Sequence, residues 1–150
     1  MSGRASVEKG KRGEREIVRA LQPIVDRVIG EVNAQAAQMG SEKVAESVRL
    51  LRNSLQSAVG GQDIVGLPWL MLEIKYQETT YLTNWWHQAL EQTKPGQITV
   101  LIHRKNSQRW LVRMVGHLPL SSGRKVSCPV DISFEIFQIW FENELKARYA

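Results

Sequence analysis

Three residues of this chain are best suited to chemistry: Asp63, Glu73 and Lys75. Asp63 stands in Gly60-Gly61-Gln62-Asp63-Ile64-Val65-Gly66, and a short Leu67-Pro68-Trp69 linker leads from there to Leu70-Met71-Leu72-Glu73-Ile74-Lys75. Leu70, Leu72 and Ile74 alternate with Met71, Glu73 and Lys75, which is the period of a strand. Side chains two apart on a strand share a face, so Glu73 and Lys75 project together, about 6.6 Å apart. With Asp63 arriving from a neighbouring strand, this set suits a hard divalent cation and a phosphate oxyanion. Mg²⁺ takes carboxylate and water oxygens and borrows ligands from a phosphate substrate; Mn²⁺ is the alternative ion. Hydrolysis of a phosphodiester needs an activated water, neutralised phosphoryl oxygens and a stabilised leaving oxygen, all of which carboxylate-bound ions provide. Asp63 and Glu73 are the candidate metal ligands, and the backbone carbonyl of Ile74 is a further candidate oxygen. Lys75, a compact point charge, is placed to orient the water or hold the phosphate. The plain structural alternative is that Asp63 caps a turn while Glu73 and Lys75 form the solvated face of an edge strand.

The elements that must position these residues are legible in outline. Residues 1–9 are small and polar and read as a flexible basic arm. Ile17, Val18, Leu21, Val25, Val28 and Ile29 have helical spacing, with Pro23 predicting a kink or break. Residues 30–47 read as a helical extension broken at Gly40-Ser41. Residues 48–52 fit either the end of a helix or a first strand, and residues 58–62 a glycine-rich turn. Strands are predicted at 63–66 and 69–76, then a helix over 82–94 ended by Lys94-Pro95-Gly96. The apolar run Ile98–Ile102 reads as a strand buried on both faces, followed by a turn at Asn106-Ser107-Gln108 and a strand over 110–115. Residues 117–129 read as loop. Ser133 or Asp131 caps a last helix carrying Phe134, Phe137, Phe141 and Leu145. The expected class is α/β, a central mixed β-sheet flanked by helices.

Composition bounds the function. A chain of 150 residues, 43% hydrophobic, is expected to form one domain with an ordinary core. Its net charge of +5 suits a polyanionic partner. The charge is locally concentrated: Arg4, Lys9, Lys11, Arg12, Arg15 and Arg19 crowd the first twenty residues, and His103, Arg104, Lys105, Arg109 and Arg113 form a second group. The single cysteine, Cys128, excludes an intramolecular disulfide and a cysteine-rich zinc site. No signal-peptide pattern opens the chain and no apolar run approaches the ~20 residues that span a bilayer, so a cytoplasmic, reducing setting without a membrane partner is expected.

With the segment Gly10-Lys11-Arg12-Gly13-Glu14-Arg15-Glu16-Ile17 added, the ordered set of Glu14-Arg15, Asp63 and Glu73-Ile74-Lys75 resembles the PD-(D/E)XK nuclease superfamily, specifically the archaeal-type Holliday junction resolvases and their phage relatives. The resemblance covers about residues 10–21 and 60–116. It implies a restriction-endonuclease-like core and a Mg²⁺-dependent endodeoxyribonuclease. A homodimer making paired nicks in four-way DNA junctions follows from it, in the bacterial host cytoplasm if the protein is phage-encoded. By the same resemblance Glu14 is the active-site glutamate of the first helix, joining Asp63, Glu73 and Lys75, and Arg15 is a phosphate-contacting arginine. Lys11, Arg12, Arg52, Gln88, Arg104 and Lys105 are the further expected DNA contacts, with Arg49 an alternative to Arg52 and Gln92 an alternative to Gln88. The chain departs from the family in having Gln62 before Asp63 and a longer spacer, so that residues 24–47 look like a helical insertion. Trp85 and Trp86 are expected in the core or a dimer contact rather than stacked on bases. His87 is not expected to bind metal. Two rival functions remain: another structure-specific or nicking nuclease on the same fold, and a catalytically silent DNA-binding protein.

Overall fold

The computed structural model describes residues 3–41, 45–53 and 62–150. Its first element, α1 (Gly3–Gln38), buries Ile17, Leu21, Ile24, Val25, Val28 and Ile29 along one stripe at helical spacing. Two expectations are corrected here. Residues 3–9 are the opening turns of α1 rather than a flexible arm, with Lys9 buried, and the helix continues through Pro23 without ending. An interior proline costs about 3 kcal/mol. Burying a large aliphatic side chain returns about 1.5–3 kcal/mol, and four such residues follow Pro23 on the same stripe. Packing therefore wins over the local rule. The helix ends where expected: Gly40 has φ +73°, its N–H donates to Ala37 O (3.1 Å), and the Ser41 N–H reaches Ala36 O (2.9 Å). This is a glycine-terminated C-cap.

Two amide side chains of α1 then hold the returning chain extended. Asn33 exchanges hydrogen bonds with the backbone of Ala45 (2.7 and 3.1 Å). Gln22 donates to Val48 O (2.9 Å) and accepts from the Leu50 N–H (2.7 Å). Of the stretch 24–47 read as a helical insertion, residues 24–38 are helical and form the second half of α1. The guided chain enters β1 (Leu51–Arg52), which resolves 48–52 toward strand. Residues 58–61 of the expected glycine turn lie outside the described residues.

β2 (Ile64–Val65), β3 (Leu70–Gln77), β4 (Ile98–Lys105), β5 (Leu111–Pro119) and β6 (Lys125–Ser133) complete a six-stranded mixed sheet in which spatial order equals chain order. β3 and β4 are parallel, joined through α2 (Leu82–Gln92). The other neighbours are antiparallel. On one face Leu70, Leu72, Ile74, Val100, Ile102 and Val112 form the main core with α1 and with the final helix, α3 (Phe134–Tyr149). On the other, Leu101 packs against Trp85 and Trp86 of α2. Both tryptophans are therefore core residues, and Val100, Leu101 and Ile102 are buried on both faces as expected.

The reading of 117–129 as loop is corrected: β5 and β6 pair over their full lengths as a hairpin turning at Gly123 (φ +84°). β6 accommodates Pro129 because it is the outermost strand, where a proline need not break a ladder on both sides. Ser133 rather than Asp131 caps α3, its Oγ accepting from the Ile136 N–H (3.1 Å). Asp131 is instead taken by Arg113 through two bonds of 2.7 and 2.8 Å. Phe137, Phe141 and Leu145 of α3 are fully buried. Among the described residues no helix is long and apolar enough to cross a membrane.

Candidate active site

Asp63 is fixed by backbone on both sides. Its carbonyl accepts from the Asn53 N–H (2.8 Å) and its N–H donates to Leu72 O (2.8 Å), which locks it between β1 and β3. Gly66, just past β2, allows the close approach of the chain leaving β2 to the chain entering β1: its φ is +126°, and an added Cβ would stand 2.5 Å from the carbonyl oxygen of Arg49. The pairing of Ile64 with Leu72 then sets Asp63 beside Glu73 and Ile74. Ile74 joins the site through its N–H, which donates to Asp63 Oδ2 across 2.7 Å.

Asp63 and Glu73 are only 3% and 5% exposed. The structural alternative of a solvated strand face therefore fails for Glu73. Its Oε1 stands 3.5 Å from Lys75 Nζ. Its Oε2 is buried, and among the described residues Asp63 is the acid beside it. Burial, and then the charge of Asp63, push the Glu73 carboxyl up to about 8 against the opposing pull of Lys75. Glu14 arrives from α1, where its Oε2 accepts from Arg52 Nε at 2.7 Å. Burial again raises its carboxyl above the usual range, with the charge of Asp63 adding to the rise and the Arg52 bond opposing it. Glu14 and Glu73 each feel the charge of Asp63, which links the three carboxyl groups electrostatically. Lys75 completes the set of four expected catalytic residues. Arg52, not Arg49, faces the site.

Among the described residues, no group of three or more His, Cys, Asp or Glu side chains forms a ready cation cage. The donor set nevertheless fits Mg²⁺, which needs only one or two carboxylates when waters and substrate phosphate complete its shell. The buried carboxyl of Glu73, beside Asp63, is the group such an ion would engage.

The expected DNA contacts divide. Lys11, Arg12, Arg15 and Lys105 are on the surface. Lys11 pairs with Glu8 (3.4 Å). Arg52 is occupied by Glu14, and Arg104 by Glu16 (3.3 Å) and the Tyr76 hydroxyl (2.8 Å). Gln88 and Gln92 lie on the exposed side of α2, away from its inward Trp85, Trp86 and Ala89, and no hydrogen bond among the described residues joins either to the carboxylates. His87 is exposed too.

His103, read from the sequence only as part of a basic group at a strand end, has a different place. It lies inside β4, opposite Lys75 in the parallel register, and is 6% exposed. Its ring tilts against Trp85 at 6.3 Å and its Nε2 has no hydrogen-bond partner. Burial holds its basicity below the usual value, favouring neutral imidazole. The signal was its place two residues beyond Leu101, on the same strand face, but reading it required the β3–β4 register. Compared with known proteins, the chain matches no family model, no curated protein and no solved structure.

Proposed function

We propose that this chain is a Mg²⁺-dependent DNA endonuclease of the PD-(D/E)XK type. It has a restriction-endonuclease-like core and acts as a homodimer that resolves four-way junctions by paired nicks. The observation that carries the reading is the buried pair Asp63 and Glu73 beside Lys75, with Glu14 linked to it through the charge of Asp63. Such a cluster is unfavourable without a cation, because like charges and burial oppose its ionisation. The ordered motif from Glu14 to Lys75, the parallel β3–β4 pair and the basic surface support the same reading.

Asp63 and Glu73 would hold the ion, which when bound supplies charge neutralisation at the phosphate and an acidified water. Asp63 is oriented for this by the Ile74 N–H, so its carboxylate needs no rearrangement. Glu73 holds a proton at neutral pH and must release it to become a ligand. Lys75 Nζ, anchored 3.5 Å from Glu73, presents a donor to the attacking water or a phosphate oxygen. Glu14 is kept in place by Arg52.

Cleavage of labelled four-way, flap and linear substrates tests the substrate assignment. Symmetric nicking of the four-way junction alone supports resolution. Cutting of flaps or duplex at an equal rate keeps the nuclease and removes junction specificity, and tight binding without cutting under any metal supports a silent DNA-binding protein.

A further inference from the structure

α1 presents different chemistry on either side of Gly13, which lies directly against Tyr76 of β3. Glu14 turns toward Arg52 and the carboxylates. On the other side, three cations gather on the ring of Tyr76. Lys9 Nζ stands 5.1 Å from its centroid, Arg12 Cζ 5.5 Å and Arg104 Cζ 4.5 Å. Lys9 is only 8% exposed.

Arg104 is fixed before any ligand arrives. It donates to the Tyr76 hydroxyl at 2.8 Å and to Glu16 at 3.3 Å, and it lies over the Trp110 ring at 5.4 Å. Glu16 is steadied in turn by Trp110 Nε1 at 3.2 Å. The Arg104 Nε is nevertheless buried with no hydrogen-bond partner. Arg104 is paired with Glu16 and the nearby Glu8 with Lys11, while no ion pair among the described residues joins Lys9 or Arg12 to a carboxylate. Two hollows meet at Lys9. One is a groove of about 660 Å³ along α1, where Arg12, Arg15 and Arg19 stand beside Glu8 and Glu16, and the other is a smaller one of about 200 Å³ at the end of β3, beside Glu78.

A preorganised surplus of cations around a hydrogen-bonding guanidinium matches an oxyanion with several acceptor oxygens. The cluster is built between α1 and β3, where Tyr76 lies against Gly13. Tyr76 alternates along β3 with Glu73 and Lys75, whose side chains leave the opposite face, so the anion bound here is not the one being cleaved. We propose that Lys9, Arg12 and Arg104, arrayed on Tyr76, form a second, metal-independent site for a backbone phosphate of the bound nucleic acid. This rests on the nucleic-acid reading above and names a part of its recognition.

The test is DNA binding by fluorescence anisotropy in EDTA over a salt series, for the wild type and for Lys9→Met, Arg12→Gln and Lys146→Gln. Each released phosphate contact lowers the slope of log affinity against log salt by about 0.9. Lys9→Met and Arg12→Gln are expected to weaken binding by roughly threefold to tenfold and to reduce that slope by about one contact. Lys146→Gln, on α3, should change neither. A merely structural role would lower the melting temperature and leave the slope intact, and the exposed Arg12 tests the site even if Lys9→Met folds poorly. Unchanged slopes in both variants, an equal loss in Lys146→Gln, or no DNA binding by the wild type would each overturn the proposal. Failure of the nuclease reading looks different: DNA binding with the altered slopes, but no Mg²⁺-dependent cleavage.

Discussion

The Ile74 N–H and Asp63 Oδ2 are joined across 2.7 Å, so the strand that carries Glu73 and Lys75 also aims the acid from its neighbour. Asp63 therefore has two separable duties, accepting a buried backbone hydrogen bond and offering a carboxylate oxygen. Asp63→Asn keeps an acceptor and removes the charge. It should fold with a melting temperature close to that of the wild type and lose cleavage by at least about 100-fold, the scale expected for losing an electrostatic group at the reacting centre. Asp63→Ala should lose cleavage as well and be less stable by about 1–3 kcal/mol, because a buried donor is left unsatisfied. Thermal melts beside cleavage rates separate the two duties; an active Asp63→Asn would remove the metal-ligand role.

Glu73 gives the site a pH dependence of definite sign. In the metal-free fold its carboxyl holds a proton up to about 8, against 4.5 for an ordinary glutamate. Between those values the folded state binds more protons than the unfolded state, so this group's contribution to stability is full at low pH and declines as pH rises toward about 8. In EDTA at pH 8, Glu73→Gln should melt about 3 °C or more above the wild type, equivalent to about 1 kcal/mol for a chain of this size. Mg²⁺ affinity of the wild type should climb over the same range, because the ligand must first lose its proton. A Glu73→Gln variant no more stable than the wild type at pH 8 would count against a buried, strained carboxyl.

Gly13 sets how closely α1 approaches β3. A Cβ there would meet Tyr76 Cβ at 3.0 Å and Trp110 at 3.2 Å. Alanine gains about 1 kcal/mol of helix propensity, but overpacking against a rigid Cβ costs about 1–3 kcal/mol. Gly13→Ala should therefore be destabilised in urea melts, and it should also slow cleavage, because displacing α1 carries Glu14 away from Asp63. A more stable Gly13→Ala would show that the helix can move aside freely.

What could be read in advance followed from periodicity. The alternation of Leu70 to Lys75 gave β3, and the unbroken apolar run from Ile98 gave β4. Residues spaced by helical turns gave α1, α2 and α3. Glu14, Asp63, Glu73 and Lys75 came from motif order, and the charge of Asp63 links the three carboxyl groups. Other features depended on long-range packing. The register that sets His103 opposite Lys75 leaves no local trace, so His103 read as a strand end rather than a buried neighbour of the site. Arg52 lies on a strand of two residues, too short for any period, and its partner Glu14 stands 38 residues earlier. Pro23 carried a correct local meaning that was outweighed by the buried stripe on both sides of it.

The most direct test of the central claim is cleavage of a labelled four-way junction by the wild type and Asp63→Asn, each in Mg²⁺ and in EDTA. The account predicts cutting by the wild type in Mg²⁺ only and none by the variant, with both proteins still binding the DNA. Cutting in EDTA, or undiminished cutting by Asp63→Asn, would contradict it.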